Sequence, residues 1–422
     1  MGMTISEKIL ARASGRDRVS PGDVVLAKVD KVMVHDVGGP GVVEVFKELE
    51  QKGLKVERLF DPDRVIAIED HFVPPPDQKS AQNLKVLEGF VRRFGINKYY
   101  RYGLGQYGVC HVITYEERLV LPGEVYVGTD SHTTTTGALG SFAVGMGHTD
   151  VAYILMYGRI WFRVPETMLF RLDGTLRDRV MAKDVILKIL KDIGADGATY
   201  KAMQFSGDGV RSMPIEERLT LTNMSVEAGA KNGIIEPDAK ILDYFGGGMS
   251  PVYGDEDASY SETFSYDLQS VEPMVAKPYS PANGVEAREL EGTPRDKAYI
   301  GSCTGGKYYD LVKAAEVLKG RRVKVRLEVI PATQGVYRKA LDSGLLKIFL
   351  DAGAMVGPPT CGACLGGHMG VLAEGEVAIS STNRNFPGRM GHRGSKVYLA
   401  SPATVAASAV TGYITDPRDL KA

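Results

Sequence analysis

The sequence predicts an α/β protein built mainly on parallel sheets. Three observations carry that prediction. Helical and strand-like hydrophobic patterns alternate through most of the 422 residues, as they do where crossover helices join parallel strands. Glycine is in excess at 49 of 422, against an average of about 7%. No low-complexity tract holds these glycines, so they point to many tight turns and close backbone approaches. Finally, polar clusters follow the strand-like runs, and open α/β sheets build sites at the carboxyl ends of their strands.

The elements follow in chain order. Ile5, Ile9 and Leu10 have helical spacing and predict an amphipathic first helix. Residues 42–49 predict a helix after Gly38-Gly39-Pro40, and 64–68 a short buried strand running into Glu69-Asp70-His71. Residues 80–94 predict a helix with Leu84, Leu87, Phe90 and Val91 on one face. A strand over 124–127 runs into Asp130-Ser131-His132, and 181–193 predict another helix. Residues 298–301, 307–318, 323–330 and 335–341 predict a β-α-β-α run. Residues 246–294 are poor in long apolar runs and rich in Gly, Pro, Ser and acidic residues. They read as a domain boundary with a long surface connection.

Charge and cysteine use exclude several classes. Fifty-one basic against 52 acidic side chains give no electrostatic reason to expect nucleic acid or an anionic membrane as partner. Four cysteines, Cys110, Cys303, Cys361 and Cys364, are too few for a disulfide scaffold. The N-terminus has no apolar core of a secretory signal. No apolar run approaches the ~18 residues of a membrane span. The expectation is a cytoplasmic protein with reduced thiols.

The candidate chemistry lies in His35-Asp36, Asp70-His71, Cys110-His111, Asp130-Ser131-His132, Cys303, Cys361-x-x-Cys364 and Asn383-Arg384-Asn385 with Arg389. Cys361-x-x-Cys364 admits a redox pair, half of a zinc or iron–sulfur site, or two inert thiols. Cys303 tips the balance toward metal, because it sits in a glycine turn between a strand and a helix. Three cysteines suit a cluster with one iron lacking a protein thiolate; His368 could instead complete a Cys₃His zinc site. Cys110, in an apolar stretch, reads as a core residue. Arg384 and Arg389 lie in a glycine/proline loop, and their guanidinium forks match carboxylates. Gly103-x-Gly105-x-x-Gly108 resembles a dinucleotide fingerprint, but the sequence predicts neither the strand before it nor the helix after it.

Taken in order, these pieces resemble the aconitase family, and specifically the large subunits of its two-subunit dehydratase branch. The resemblance runs from Glu7-Lys8-Ile9-Leu10 to Ser401-Pro402-Ala403-Thr404. Its most specific parts are Thr129-Asp130-Ser131-His132-Thr133, Gly301-Ser302-Cys303-Thr304, the Cys-x-x-Cys and Asn383-Arg384-Asn385-Phe386-x-Gly388-Arg389. It implies an α/β/α architecture of three domains, over 1–165, 166–284 and 285–422. It also implies a [4Fe-4S] cluster held by Cys303, Cys361 and Cys364, whose open iron polarises a substrate hydroxyl. The pairs Asp70–His71, His111–Asp130 and His132–Glu227 would carry the proton chemistry. His35, Ser131, Arg384 and Arg389 would contact substrate, and Asn223 and Asn383 would hydrogen-bond near the cluster.

The implied activity is a hydro-lyase isomerising a malate-type hydroxy acid, with 3-isopropylmalate in leucine biosynthesis as leading substrate. Homoaconitate or a methyl-substituted malate is the alternative, and a non-enzymatic metal- or RNA-binding role a minor one. Nothing after Ser401 resembles the family's mobile fourth domain. A small subunit carrying that swivel domain and its serine base is therefore the expected partner. Gly305 departs from the asparagine frequent in relatives at that place.

Overall fold

The computed structural model describes residues 2–247 and 249–420; Met1, Gly248 and residues 421–422, the last two inside the expected third segment, lie outside. Three sheets carry the chain. The first has five parallel strands in the order Lys98–Tyr100, Val65–Ile68, Lys31–His35, Val125–Gly128, Phe142–Gly145. Its central strands are buried on both faces, as expected of a parallel sheet covered by helices. The second has four parallel strands, Asn232–Ile235, Ala202–Ser206, Thr167–Asp173 and Glu262–Asp267. The third has seven strands. Lys396–Ala400, Val377–Ser380, Lys297–Ile300, Arg326–Val329 and Met355–Val356 run parallel, and Met274–Ala276 and Gly284–Glu286 add an antiparallel edge. A separate antiparallel ribbon pairs Val24–Lys28 with Arg159–Arg163.

The helices form where capping and periodicity agree. Ile5–Ser14 starts at a Thr4/Glu7 capping box and ends at left-handed Gly15. Gln78–Phe94 starts on the Asp77 side chain, buries Leu84, Leu87, Phe90 and Val91, and stops at Gly95. Ala182–Ile193 buries most of its length between the second and third sheets, against Met274 and Leu399 among others.

Two expectations change. Residues 246–294 are not only a surface connection. They contain one strand of the second sheet and two of the third, and Met274-Val275-Ala276 is fully buried. Strands of three residues are too short to display a period-2 pattern, so their partners were invisible in the sequence. Sheet membership changes between Asp267 and Met274.

The glycine motif Gly103–Gly108 does lie between a strand, Lys98–Tyr100, and a helix, Cys110–Glu116. Its backbone, however, pairs with the third-sheet segment: Gly108 bridges Thr333, and the Val109 N–H donates to the Ala332 carbonyl at 2.8 Å. Among the described residues, no helix is long and apolar enough to cross a membrane.

Candidate active site

Each functional side chain sits just past a strand or at a helix end. His35 closes Lys31–His35, Asp70 and His71 follow Val65–Ile68, and Asp130, Ser131 and His132 follow Val125–Gly128. These three strands are neighbours, so their loops meet at one edge. His111 comes from the first turn of Cys110–Glu116, and Asn223 and Glu227 from the end of Ile215–Met224 and the turn after it. Cys303 follows Lys297–Ile300, and Asn383 and Arg384 follow its neighbour Val377–Ser380. Cys361 caps the turn Gly362–Leu365, and Cys364 lies within it. That turn is tied to the first sheet: the Cys361 N–H (3.3 Å) and the Thr360 hydroxyl (2.9 Å) donate to the Asp70 carbonyl.

Asp130 is the centre. Its Oδ1 lies 2.8 Å from His111 Nε2 and accepts the His132 backbone N–H at 2.7 Å. Its Oδ2 lies 3.6 Å from His71 Nε2 and 3.9 Å from His35 Nε2. Burial raises the Asp130 carboxyl, but the hydrogen bonds from His111 and His132 outweigh it and hold the group well below the carboxylate range. His132 Nε2 is 2.7 Å from Glu227, whose carboxylate also accepts Arg384 Nε at 2.8 Å. Arg384 Nη1 reaches Ser131 Oγ at 3.0 Å. Arg384 is therefore partly engaged inside the protein, while Arg389 Nη2 lies 3.9 Å from Cys364 Sγ. His71 Nδ1 is 3.3 Å from Asp70 Oδ2 but without hydrogen-bond geometry, and that oxygen accepts the Cys110 N–H at 3.0 Å.

His35 and His71 stack at 4.6 Å with 23° between their planes, yet titrate in opposite directions. His35 is pushed down to about 4 by burial and by the neighbouring His71 charge. Its Nδ1 accepts the N–H groups of Val37 and Gly38, so Nε2 carries the proton and faces Asp130. For His71, burial acts downward, but Asp70, Asp36 and Asp130 overcome it and raise the imidazole. One ring is pushed toward the neutral form and the other toward the imidazolium, the division of roles that acid–base chemistry uses.

The cysteines are all reduced and buried. Asn383 Nδ2 donates to Cys303 Sγ at 3.1 Å, and its Oδ1 lies 3.7 Å from Cys364 Sγ. Asn223 Oδ1 accepts from the same Asn383 amide at 3.2 Å. Burial pushes the Cys303 thiol up to about 12. The hydrogen bond with Cys364 holds the Cys361 thiol up and Cys364 down, with Arg389 favouring the Cys364 thiolate.

Two glycines make room. A Cβ on Gly305 would sit 1.9 Å from Ser381 Oγ, and one on left-handed Gly362 would sit 2.2 Å from the Tyr299 hydroxyl. The Gly305 departure is thereby explained. Ser381 fills the space, and its hydroxyl accepts the Gly301 N–H at 3.0 Å. His368 is committed elsewhere, with Nε2 2.7 Å from the Pro74 carbonyl. Cys110 packs among Met33, Ile66, Ile68 and Tyr126.

The sequence placed Asp36 in a candidate cluster beside His35 but gave it no role. It is fully buried, its Oδ1 accepts the N–H groups of Asp70 and His71, both at 3.0 Å, and its Oδ2 accepts that of Phe72 at 2.7 Å. The loop bearing His71 is thus wound around one carboxylate. The available signal was an acid directly after the strand-end histidine. Asp36→Ala is expected to cost about 2–3 kcal/mol, since it strands buried donors of charge-assisted bonds. Urea unfolding checks this, and a change under ~0.5 kcal/mol would contradict the role.

The sequence pattern of the Aconitase family (aconitate hydratase) matches residues 7–295 and 286–412. The chain belongs to the aconitase family. Among curated aconitase-like relatives, "3-isopropylmalate dehydratase large subunit 1" of Methanopyrus kandleri is 51% identical over 99% of both chains. The protein of the same name from Pyrococcus furiosus is 49% identical, again over 99% of both. A solved structure of Thermococcus kodakaraensis aconitase X in its holo form aligns at a TM-score of 0.48 with 12% identity, over 90% of this chain and 88% of that one. Nothing is drawn from so slight a likeness.

Proposed function

We propose that this chain is the large, catalytic subunit of a 3-isopropylmalate dehydratase, interconverting 2- and 3-isopropylmalate by dehydration and rehydration in leucine biosynthesis. The observation that carries the reading is that relatives of that name align at about half identity over essentially the whole chain. The buried acid–base set and thiols described above are its chemical counterpart.

Cys303, Cys361 and Cys364 would hold a [4Fe-4S] cluster. Two features of the protein support the fit. First, buried thiols that share protons cannot all ionise without added positive charge, which iron brings. Second, among the described residues only His35, Asp36 and His71 bring three His, Cys, Asp or Glu ligand atoms within 4.8 Å of one another. The three sulfurs are therefore more spread than the roughly 3.8 Å that a tetrahedral zinc with ~2.3 Å bonds requires. When bound, the cluster supplies a Lewis-acidic iron with an open position.

The chain's own groups do the rest. The raised imidazolium of His71, within reach of Asp130, is placed to give a proton to a departing hydroxyl. His35 Nε2–H is a neutral donor to substrate oxygen. Ser131, Arg384 and Arg389 bound the space where a carboxylate would be oriented. Glu227, held as a carboxylate by His132 and Arg384 against its burial, keeps His132 and Arg384 in place. The complementary base and the recognition of the alkyl group fall to a small subunit carrying the swivel domain. The test is the reconstituted pair assayed against 3-isopropylmalate, homoaconitate and citramalate. The highest kcat/KM is expected on 3-isopropylmalate, and a higher value on either other acid would overturn the assignment.

A further inference from the structure

Among the described residues three lysines are buried: Lys183, Lys297 and Lys307. Two of them have carboxylate partners, Lys297 with Glu328 and Lys307 with Asp310, both at 2.7 Å. Lys183 is the exception, with no carboxylate oxygen within 4.0 Å of its ammonium among the described residues. It lies in the first turn of Ala182–Ile193, the helix between the second and third sheets. Its Nζ contacts the Thr382 carbonyl at 2.6 Å, the Ser381 carbonyl at 3.0 Å and Thr304 Oγ1 at 3.2 Å. The Thr304 hydroxyl donates its own proton to the Ser381 carbonyl at 2.9 Å, so toward Lys183 it is an acceptor. Three acceptors demand three N–H donors, and only the charged ammonium has them.

A buried cation without a carboxylate requires another source of negative charge. The contacts identify it. Thr304 follows Cys303, and Ser381 and Thr382 precede Asn383 and Arg384. Asn383 in turn touches the sulfurs of Cys303 and Cys364. Burial pulls the lysine down to about 7; the Cys303 sulfur is the first group that opposes it, followed by the Asp310 carboxylate and the Cys364 sulfur.

We propose that Lys183 is a positioning residue for the sulfur site: its ammonium stitches the Cys303 turn to the Asn383–Arg384 turn and supplies a fixed positive charge against which the thiolates are held. The proposal rests on the iron–sulfur reading above and extends it to a side chain from the helix Ala182–Ile193. It separates Lys183 from Lys307, whose charge is already matched by Asp310.

The test compares wild type with Lys183→Met, which keeps volume and loses charge, and with Lys183→Gln, which keeps part of the hydrogen bonding. Hydrogen exchange at residues 301–306 and 380–384 is measured in the thiol form. After reconstitution with iron and sulfide, iron per chain and the rate of iron loss to a chelator are measured. Lys183→Met is expected to exchange at least about 10-fold faster in both turns, with strand Lys31–His35 unchanged, and to release iron about 10-fold faster, with Lys183→Gln between it and wild type. Wild-type exchange and wild-type iron release in Lys183→Met would overturn the proposal. Protection lost evenly across the chain would overturn it too, since that marks a general packing residue. If Lys183→Met does not fold, Lys183→Gln is judged on the same readouts. A wild type that takes up no iron–sulfur cluster would sink the iron reading and with it the charge role, while exchange at the two turns still decides the stitch.

Discussion

Replacing any one of Cys303, Cys361 or Cys364 by serine is expected to drop the iron per chain and to reduce hydro-lyase turnover with the small subunit by far more than ~100-fold, the loss that even the outer partners of a metal ligand can cause. The three thiols are buried and reduced, and two of them, Cys303 and Cys364, lie against one asparagine amide. Serine keeps the shape but offers a hydroxyl that does not ionise at neutral pH. Cys110→Ser is the internal control. That sulfur sits in an apolar cluster behind the site, 3.7 Å from His111 Nε2. Its replacement is expected to cost only stability, about 1 kcal/mol for a buried hydroxyl with partial compensation. Iron analysis, visible absorption and turnover on all four variants decide the matter. Equal losses at Cys110 and Cys303 would contradict the division.

Asp130→Asn is expected to lower kcat on the order of 10³-fold or more, the scale seen where a carboxylate that orients an imidazole is neutralised. The argument is geometric. One carboxylate faces His111, His132, His71 and His35. An amide offers one acceptor where two are used, and its NH₂ would face His71 and His35. Removing the charge also withdraws one of the three carboxylates that keep His71 protonated. The alkaline limb of the pH–rate profile, where the proton-donating form of His71 is lost, should move to lower pH as that imidazole loses its support.

Stability should respond with a definite sign. The folded Asp130 carboxyl is depressed, so its contribution is present above the unfolded value near ~4 and is lost as pH falls through the folded value. The variant should therefore lose its stability deficit relative to wild type in strongly acidic solution. A pH-independent deficit would contradict this account, and unfolding measured from neutral pH to below pH 3 is the check.

Much of the site was legible in sequence because its residues sit at fixed points of local structure. A strand ending in Gly128-Thr129-Asp130-Ser131-His132, or a glycine turn carrying Cys303, announces itself by composition and by where the apolar run stops. The pairs His111–Asp130 and His132–Glu227 were named from the family resemblance, and the fold brings each within 2.8 Å. Local pattern could not reach interactions that depend on which strands are neighbours. Asp36 belongs to the site because Lys31–His35 lies beside Val65–Ile68, which puts its carboxylate against three N–H groups of another loop. Arg384 looked like a free fork in a loop, but the closing of the second sheet against the third sets it on Glu227. Lys183 gave no signal at all, being one lysine in an amphipathic helix.

By itself the sequence determined the α/β class, the main helices, and the placing of histidines, carboxylates and cysteines at strand ends and turns. These follow from hydrophobic period, turn chemistry and residue type, which act over a few positions. The tertiary structure alone decided strand order, the membership of residues 262–286 in two different sheets, and the charges that meet across them: His71 raised beside His35 lowered, and Lys183 set on main-chain carbonyls in place of a carboxylate. The physical reason is that a pKa or a buried ion is set by everything within several ångströms. At Asp130 and at Lys183 those neighbours come from segments as much as 200 residues apart, and only the packed sheets bring them together.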